Sequence, residues 1–95
     1  MAQTRVVGPF EWDPAKARSN HEKHGVDFMT AMLAFEDAAG LIEKDEAHSK
    51  TEPRWLFFGK VDGRVLTVAF TRRGDRIRLI SAGFFRKGKR LYESR

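Results

Sequence analysis

The hydrophobic pattern at the start of the chain predicts a short strand. Residues 6–12 are rich in β-prone residues, but a Gly-Pro pair at 8–9 interrupts them, so we predict a short edge strand there. Residues 1–5 are expected to be a frayed end.

Two helices are predicted next. Asp13 and Pro14 favour a helix start, because aspartate caps free backbone amides and proline suits the first helical position. This helix should end at Gly25, and Asp27 should cap a second helix that reaches about Glu36. The apolar residues of the second helix follow helical spacing: Phe28, Met32 (or Ala31) and Phe35. Two helices with so short a joint form an αα-hairpin.

After Gly40 the pattern changes to strand-like alternation. One predicted strand has Trp55 and Phe57 on one face and Leu56 and Phe58 on the other. The predicted strands are residues 41–46, 54–61, 65–70 and 75–82, with tight turns at 62–63 and 74–75. A C-terminal helix at 84–92 is weakened at Gly88 by roughly 1 kcal/mol relative to alanine.

The predicted fold is a single α+β domain over residues 1–95. Its antiparallel sheet has about four to five strands, with the αα-hairpin packed on it and a short C-terminal helix. The element order is β-α-α-β-β-β-β-α, with the helices on one face of the sheet.

The composition restricts the possible classes of protein. A hydrophobic content of 41% supports a packed core, and the absence of cysteine excludes disulfides and thiolate metal sites. No apolar run approaches the roughly 18 residues that span a bilayer, and no signal-peptide core is present. We therefore expect a small, soluble, cytoplasmic protein.

Charge is divided unevenly along the chain. Residues 1–50 carry 6 Lys/Arg and 9 Asp/Glu, a net charge of −3, whereas residues 51–95 carry 12 and 4, a net charge of +8. A concentrated positive field attracts polyanions. This distribution favours RNA or DNA as a substrate or ligand.

Arginines in the basic half follow a strand pattern. Arg76 and Arg78 alternate with Ile77 and Leu79, so both arginines should lie on the face opposite the apolar pair. Arg54, at the start of another strand, is expected on the same face, and Arg73 lies in the intervening turn. Such a face can bind phosphate bidentately and stabilise a phosphorane-like transition state. The alternative is a solvated outer face, with the arginines paired to acidic residues: Glu43, Asp45 and Glu46.

Other candidate groups are less specific. His24, at the end of the first helix, and His48, in a polar loop, are candidates for general acid or base, or ordinary polar residues. His21 and His24 do not make a convincing metal site, so no metal or other cofactor is predicted. Phe84 and Phe85, followed by basic residues, suit contact with single-stranded nucleic acid, although a core or partner-facing role is the alternative we favour.

Four separated motifs resemble the BrnT toxins of bacterial type II toxin–antitoxin systems. They cover about residues 10–93 and occur in the family's order. They are the helix start Trp12-Asp13-Pro14 with Asn20 and the turn Lys23-His24-Gly25-Val26; Ala31 or Ala34 with Phe35-Glu36-Asp37; His48-Ser49, Glu52 and Arg54; and the turn and strand from Thr71 to Ala82.

The resemblance implies a RelE-like fold and a metal-independent endoribonuclease that arrests translation. It also implies neutralisation by a BrnA-type antitoxin, a ribbon-helix-helix protein that binds DNA, so that DNA is contacted only through the antitoxin. Our hypothesis for the site has Arg54, Arg73, Arg78, His48 and Tyr92 as catalytic residues. The proposed RNA-binding residues are Lys23, His24, Arg76, Arg86, Lys87, Lys89 and Arg90, with Lys23 and His24 as further candidate proton carriers.

The chain departs from the family pattern near its C-terminal end. Gly83 stands where the family usually has arginine, and the following helix is one residue shorter, with its usual glutamate either replaced by Lys89 or lost. Two alternatives therefore remain. One is a non-catalytic RNA- or antitoxin-binding module, and the other is a structural partner whose basic face only receives an acidic antitoxin segment.

Overall fold

The computed structural model describes residues 3–95, which form a six-stranded sheet and three α-helices. The elements are β1 (Arg5–Val7), β2 (Phe10–Trp12), α1 (Pro14–His24), α2 (Phe28–Ala34), β3 (Leu41–Lys44), a 3-10 turn (Glu46–His48), β4 (Trp55–Val61), β5 (Arg64–Arg73), β6 (Arg76–Gly83) and α3 (Arg86–Glu93). Of the predicted frayed end, residues 1 and 2 lie outside the described range, and Arg5 is the first residue of β1.

The sheet confirms the α+β class but has more strands than predicted. Its strand order is β1-β2-β6-β5-β4-β3, and β2 pairs with β6 in parallel, whereas the other pairs are antiparallel. The predicted single N-terminal strand is two strands, because Gly8, with φ 57°, turns the chain back on itself.

The helix ends follow the predicted capping residues. The Asp13 carboxylate accepts a hydrogen bond from the Ala15 amide at 2.9 Å, and Gly25 ends α1 in the left-handed conformation with φ 69°. Asp27 caps α2 by accepting from the Thr30 amide at 2.7 Å. This helix ends at Ala34, two residues before the predicted end at Glu36.

The main core lies between α1, α2 and one face of the sheet. Phe28 of α2 packs there with alternate residues of the central strands, including Phe57, Leu66 and Leu79. Because side chains alternate along a strand, Phe58 and its neighbours project from the other face. The predicted alternation of residues 55–58 is confirmed.

Helix α3 packs on the opposite face of the sheet from α1 and α2, so the prediction of helices on one face is wrong. Its contact point is Gly88, where an added β-carbon would collide with the Thr67 hydroxyl and the Phe58 ring. The sequence pattern could not assign α3 to a face, because glycine carries no side chain to mark one. Gly88 weakens α3 but allows the helix to pack close to the sheet, which explains why a glycine stands there.

Asn20 fixes α1 to the sheet. Its side-chain amide donates to the carbonyls of Val26 and Ala82, both at 2.9 Å, and its oxygen accepts from the Ala82 amide at 3.0 Å. Asn20 is buried, so these bonds satisfy polar groups that water cannot reach. One side chain thus holds α1, the turn before α2 and the end of β6 together.

Candidate nucleic-acid interface

The arginines predicted to share a face do so in the structure. We call this surface the open face: the side of the sheet that carries Thr67, Ala69, Thr71 and Arg73 of β5, opposite α1 and α2. In the antiparallel register, Arg73 lies across from Arg76, and Thr71 lies across from Arg78. Side chains directly opposite in such a pair project to the same side, so both β6 arginines belong to the open face.

Arg78 is held in a half-buried ion pair. Its Nη1 donates to Glu11 Oε2 at 2.6 Å, and the two side chains are 18% and 10% exposed. Glu11 lies on β2, directly beside Arg78 in the parallel register. Within residues 3–95, Nε and Nη2 of Arg78 donate to no protein group, so they remain available to a ligand.

Arg54 is positioned by the loop before β4. Its amide donates to the Ser49 hydroxyl at 3.0 Å, and that hydroxyl donates to the Asp45 carbonyl at 2.6 Å. The Thr71 hydroxyl donates to the Pro53 carbonyl at 2.6 Å, which ties the same loop to β5. Arg54 therefore lies beside Thr71 at the edge of the open face.

Arg54, directly before β4, forms a row with Thr71 of β5, Arg78 of β6 and Glu11 of β2, which we call the arginine row. Neighbouring strands are about 4.8 Å apart, so the backbones of Arg54 and Arg78 are about 10 Å apart. Two long guanidinium side chains at this separation can reach one phosphate placed between them. Arg73 and Arg76 extend the positive charge on one side of the row.

A groove of about 520 Å³ lies between the open face and α3, on the other side of the arginine row. Its floor is apolar and includes Leu56, Ala69 and Ile80. The sequence-predicted residues that line it are His48, Arg54 and Lys87, with Glu43 and Asp45 at the same rim. The groove therefore combines a rim that carries both basic and acidic side chains with an apolar base.

His48 lies at the exposed rim of this groove. Its Nδ1 is 2.9 Å from Asp45 Oδ2, and the side chain is 66% exposed. The contact orients the ring at the edge of the groove.

Lys23 and His24 lie in an adjoining pocket of about 260 Å³ on the α1 side. This pocket shares Ile80 and Ser81 with the groove. Ile80 and Ser81 both line these concave surfaces because the β5–β6 register shifts by one residue between them. Ala69 faces Ser81, whereas Phe70 faces Leu79. A β-bulge thus joins the two concave sites.

The remaining basic residues of the prediction are dispersed. Arg86 and Lys89 line a third concave surface beside Arg64, between α3 and the start of β5. Arg90 is exposed on α3, and Arg73 contacts Glu52 at 3.5 Å. Arg86, Lys89 and Arg90 contribute positive charge and do not converge with the arginine row, whereas Arg73 lies beside the row and is paired with Glu52.

Tyr92 lies outside the groove and anchors α3. Its hydroxyl donates to Asp37 Oδ2 at 2.6 Å, and this bond is the main reason that the pKa of Asp37 is lowered. The amides of Lys60 and Ala39 also donate to Asp37 and act in the same direction. The bond to Asp37 raises the pKa of Tyr92, which disfavours the phenolate.

Two further observations concern metal binding and membrane insertion. Within residues 3–95, no group of three His, Asp or Glu side chains is arranged to hold a metal ion. None of the helices in this range is long and apolar enough to cross a lipid bilayer.

The family model for the ribonuclease toxin BrnT of type II toxin–antitoxin systems matches residues 12–88. The chain belongs to this family. The match spans Trp12, the arginine row from Arg54 to Arg78 and the groove as far as Gly88. No curated protein matches the chain. The BrnT family indicates a ribonuclease toxin with an antitoxin partner.

The structure adds residues that the sequence reasoning did not assign to the site. Glu11 belongs to a separate short strand, and only the β2–β6 pairing brings it to Arg78. Thr71 supports the loop of Arg54, and Phe85 lines the groove. The sequence offered one signal for these residues, the interleaving of aromatic and basic residues around Phe85.

Proposed function

We propose that this chain is a metal-independent endoribonuclease that binds RNA across the arginine row and the groove. The observation that supports this most strongly is the row itself, which brings Arg54 and Arg78 onto one face in a chain of the BrnT family. Cleavage of RNA in the cell would arrest translation, as expected of a toxin.

In the proposed reaction the 2′-hydroxyl of a nucleotide attacks the adjacent phosphate. A bond forms between the 2′-oxygen and phosphorus, and the bond from phosphorus to the 5′-oxygen breaks. The products are a 2′,3′-cyclic phosphate and a free 5′-hydroxyl. Arg54 and Arg78 would stabilise the negative charge that develops on the phosphate oxygens, which is the contribution usually made by a metal ion.

The reaction also needs a proton acceptor for the 2′-hydroxyl and a donor for the leaving oxygen. His48 is the best placed of the three candidates, because it lines the same groove as Arg54. His24 and Lys23 lie together beyond the bulge, where they would bind the RNA on one side of the scissile bond. Tyr92 is engaged by Asp37, so we assign it to anchoring α3.

The reaction is tested by incubating the purified, antitoxin-free chain with a labelled single-stranded RNA in excess EDTA. We expect cleavage with 2′,3′-cyclic phosphate ends, and no cleavage of the same RNA with 2′-O-methyl groups. Loss of activity in EDTA that returns with added Mg²⁺ would contradict metal independence. Cleavage of the methylated RNA would contradict attack by the 2′-hydroxyl.

A second candidate function is a module that binds RNA or antitoxin without cutting. Gly83 favours it, because the family's usual arginine is absent and the Phe85 ring stands where a side chain at 83 would begin. Binding of RNA that weakens steeply with salt, without strand scission on naked RNA or on ribosomes, would support this candidate.

We further propose that a BrnA-type antitoxin, with a ribbon-helix-helix domain that binds DNA, neutralises the chain. Adding purified antitoxin to the cleavage assay should abolish cleavage at a stoichiometric ratio. Continued cleavage in the presence of the bound antitoxin would contradict neutralisation by direct contact.

A further inference from the structure

Phe85 is an exposed aromatic residue at the end of the groove. It directly precedes α3, and 41% of its surface is exposed. It lines both the groove and the concave surface that carries Arg86 and Lys89. A single exposed apolar side chain is common on protein surfaces, so the case for Phe85 depends on the groups around the ring.

The Phe85 ring occupies space that is open because residue 83 is a glycine. The outer edge of the ring, Cζ with Cε1 and Cε2, lies over Gly83, and any β-carbon at position 83 would collide with it. On another side, the His24 ring lies nearly perpendicular to the Phe85 ring, with centroids 5.2 Å apart. Gly83 and His24 together therefore fix an exposed ring between the groove and the pocket of Lys23.

The surroundings of Phe85 suit both the phosphate and the base of a nucleotide. Lys87 and Arg54 at the groove rim and Lys23 beyond His24 suit phosphates. The apolar floor suits a flat, weakly hydrated group, which a site for phosphate alone would not need. At about 520 Å³, the groove lies within the range of small-molecule pockets.

We propose that Phe85 stacks on an unpaired nucleobase of the RNA, which enters the groove while the adjacent phosphates lie along the arginine row. This inference rests on the proposed ribonuclease function, and it names the part of the substrate that the groove binds. It also requires a single-stranded substrate, because a paired base cannot reach the ring. The Gly83 departure from the family pattern is then a condition for base binding, since a side chain there would displace Phe85.

The test compares binding of a 2′-O-methyl single-stranded oligonucleotide, which resists cleavage, by the parent and two variants. Phe85→Leu keeps an apolar side chain but removes the aromatic face, and we expect affinity to fall roughly 5- to 150-fold. Phe85→Trp should restore affinity close to the parent, because it restores a stacking surface. Leu33→Ala is the control, since Leu33 is similarly exposed at 49% on α2, across the sheet from the groove.

An abasic scan adds a direct readout of the stacked base. Removing single bases along the oligonucleotide should reveal a position where loss of the base weakens the parent but not Phe85→Leu. Thermal unfolding of each variant, with a melting temperature close to the parent, establishes that the change acts on the site.

The outcomes separate this inference from the proposed function. If the parent binds and cleaves RNA but Phe85→Leu binds equally well, base stacking is refuted and the ribonuclease stands. If the parent neither binds nor cleaves RNA, the proposed function fails and this inference fails with it. If Phe85→Leu weakens the antitoxin complex and leaves RNA binding unchanged, the groove is a protein-binding site and the inference is wrong.

Discussion

Removal of the Arg78 side chain should destabilise the fold as well as the candidate site. Arg78→Ala leaves the Glu11 carboxylate, which is 10% exposed, without its partner at 2.6 Å. Breaking a buried ion pair from one side costs about 3–5 kcal/mol. Because Arg78 keeps 18% of its side chain in water, we expect the lower end, about 3 kcal/mol.

The assay is equilibrium unfolding in urea, followed by tryptophan fluorescence, of the parent, both single variants and the double variant. For a domain of this size, 3 kcal/mol corresponds to a fall in melting temperature of roughly 12–24 °C. Glu11→Gln should cost less, about 1–2 kcal/mol, because the arginine left behind still reaches water. The double variant should lose about 1–2 kcal/mol less than the sum of the single losses.

An Arg78→Ala variant within about 0.5 kcal/mol of the parent, a loss typical of a surface substitution, would show that the ion pair with Glu11 does not stabilise the fold. Strict additivity of the two single variants would show the same. Arg78→Lys separates the structural role from the proposed catalytic one, because lysine can pair with Glu11 but lacks the forked donors of arginine. We expect it to recover most of the lost stability while cleavage stays low.

Three other substitutions test particular contacts. Gly88→Ala should lower the free energy of unfolding, measured by urea titration, by about 1–2 kcal/mol. Crowding of the new methyl group against Thr67 outweighs the gain in helix propensity of about 1 kcal/mol. A stabilised variant would contradict the packing of α3 on the sheet. Asn20→Ala should cost about 3 kcal/mol in the same assay, since three buried backbone groups lose their partner, and a loss below about 1 kcal/mol would show that water replaces the side chain. Asp37→Asn should lower the free energy of unfolding at neutral pH, and by progressively less as the pH falls below about 4. The reason is that a carboxyl whose pKa is lowered in the fold stabilises the protein above its unfolded pKa and loses that contribution when it is protonated. A difference in urea midpoint that does not change with pH would contradict this.

Much of the fold could be predicted from local signals. Asp13, Gly25 and Asp27 define helix ends through their own side chains or backbone freedom, so the αα-hairpin followed from three positions. The alternation at residues 55–58 gave the two faces of β4, and that at residues 76–79 gave the shared face of Arg76 and Arg78.

The parts that could not be predicted depend on contacts distant in sequence. The parallel pairing of β2 with β6 joins residues 67 positions apart and places Glu11 beside Arg78, which no local pattern indicates. The β-bulge near Ile80 brings two neighbouring residues to the same concave surface, against strict alternation. The sequence makes Tyr92 a candidate catalytic residue, and its hydrogen bond to Asp37 is visible only in three dimensions.

The most direct test of the account is the location of the reaction on the open face. We would measure kcat/KM for RNA cleavage in excess EDTA by the parent, Arg54→Ala and Arg72→Ala. Arg72 is the matched control, because it is an exposed arginine of β5 that neighbours Arg73 and projects from the opposite face. We expect a loss of roughly 100-fold or more for Arg54→Ala and the parental rate for Arg72→Ala. Equal rates for all three proteins, or equal losses for both variants, would contradict it.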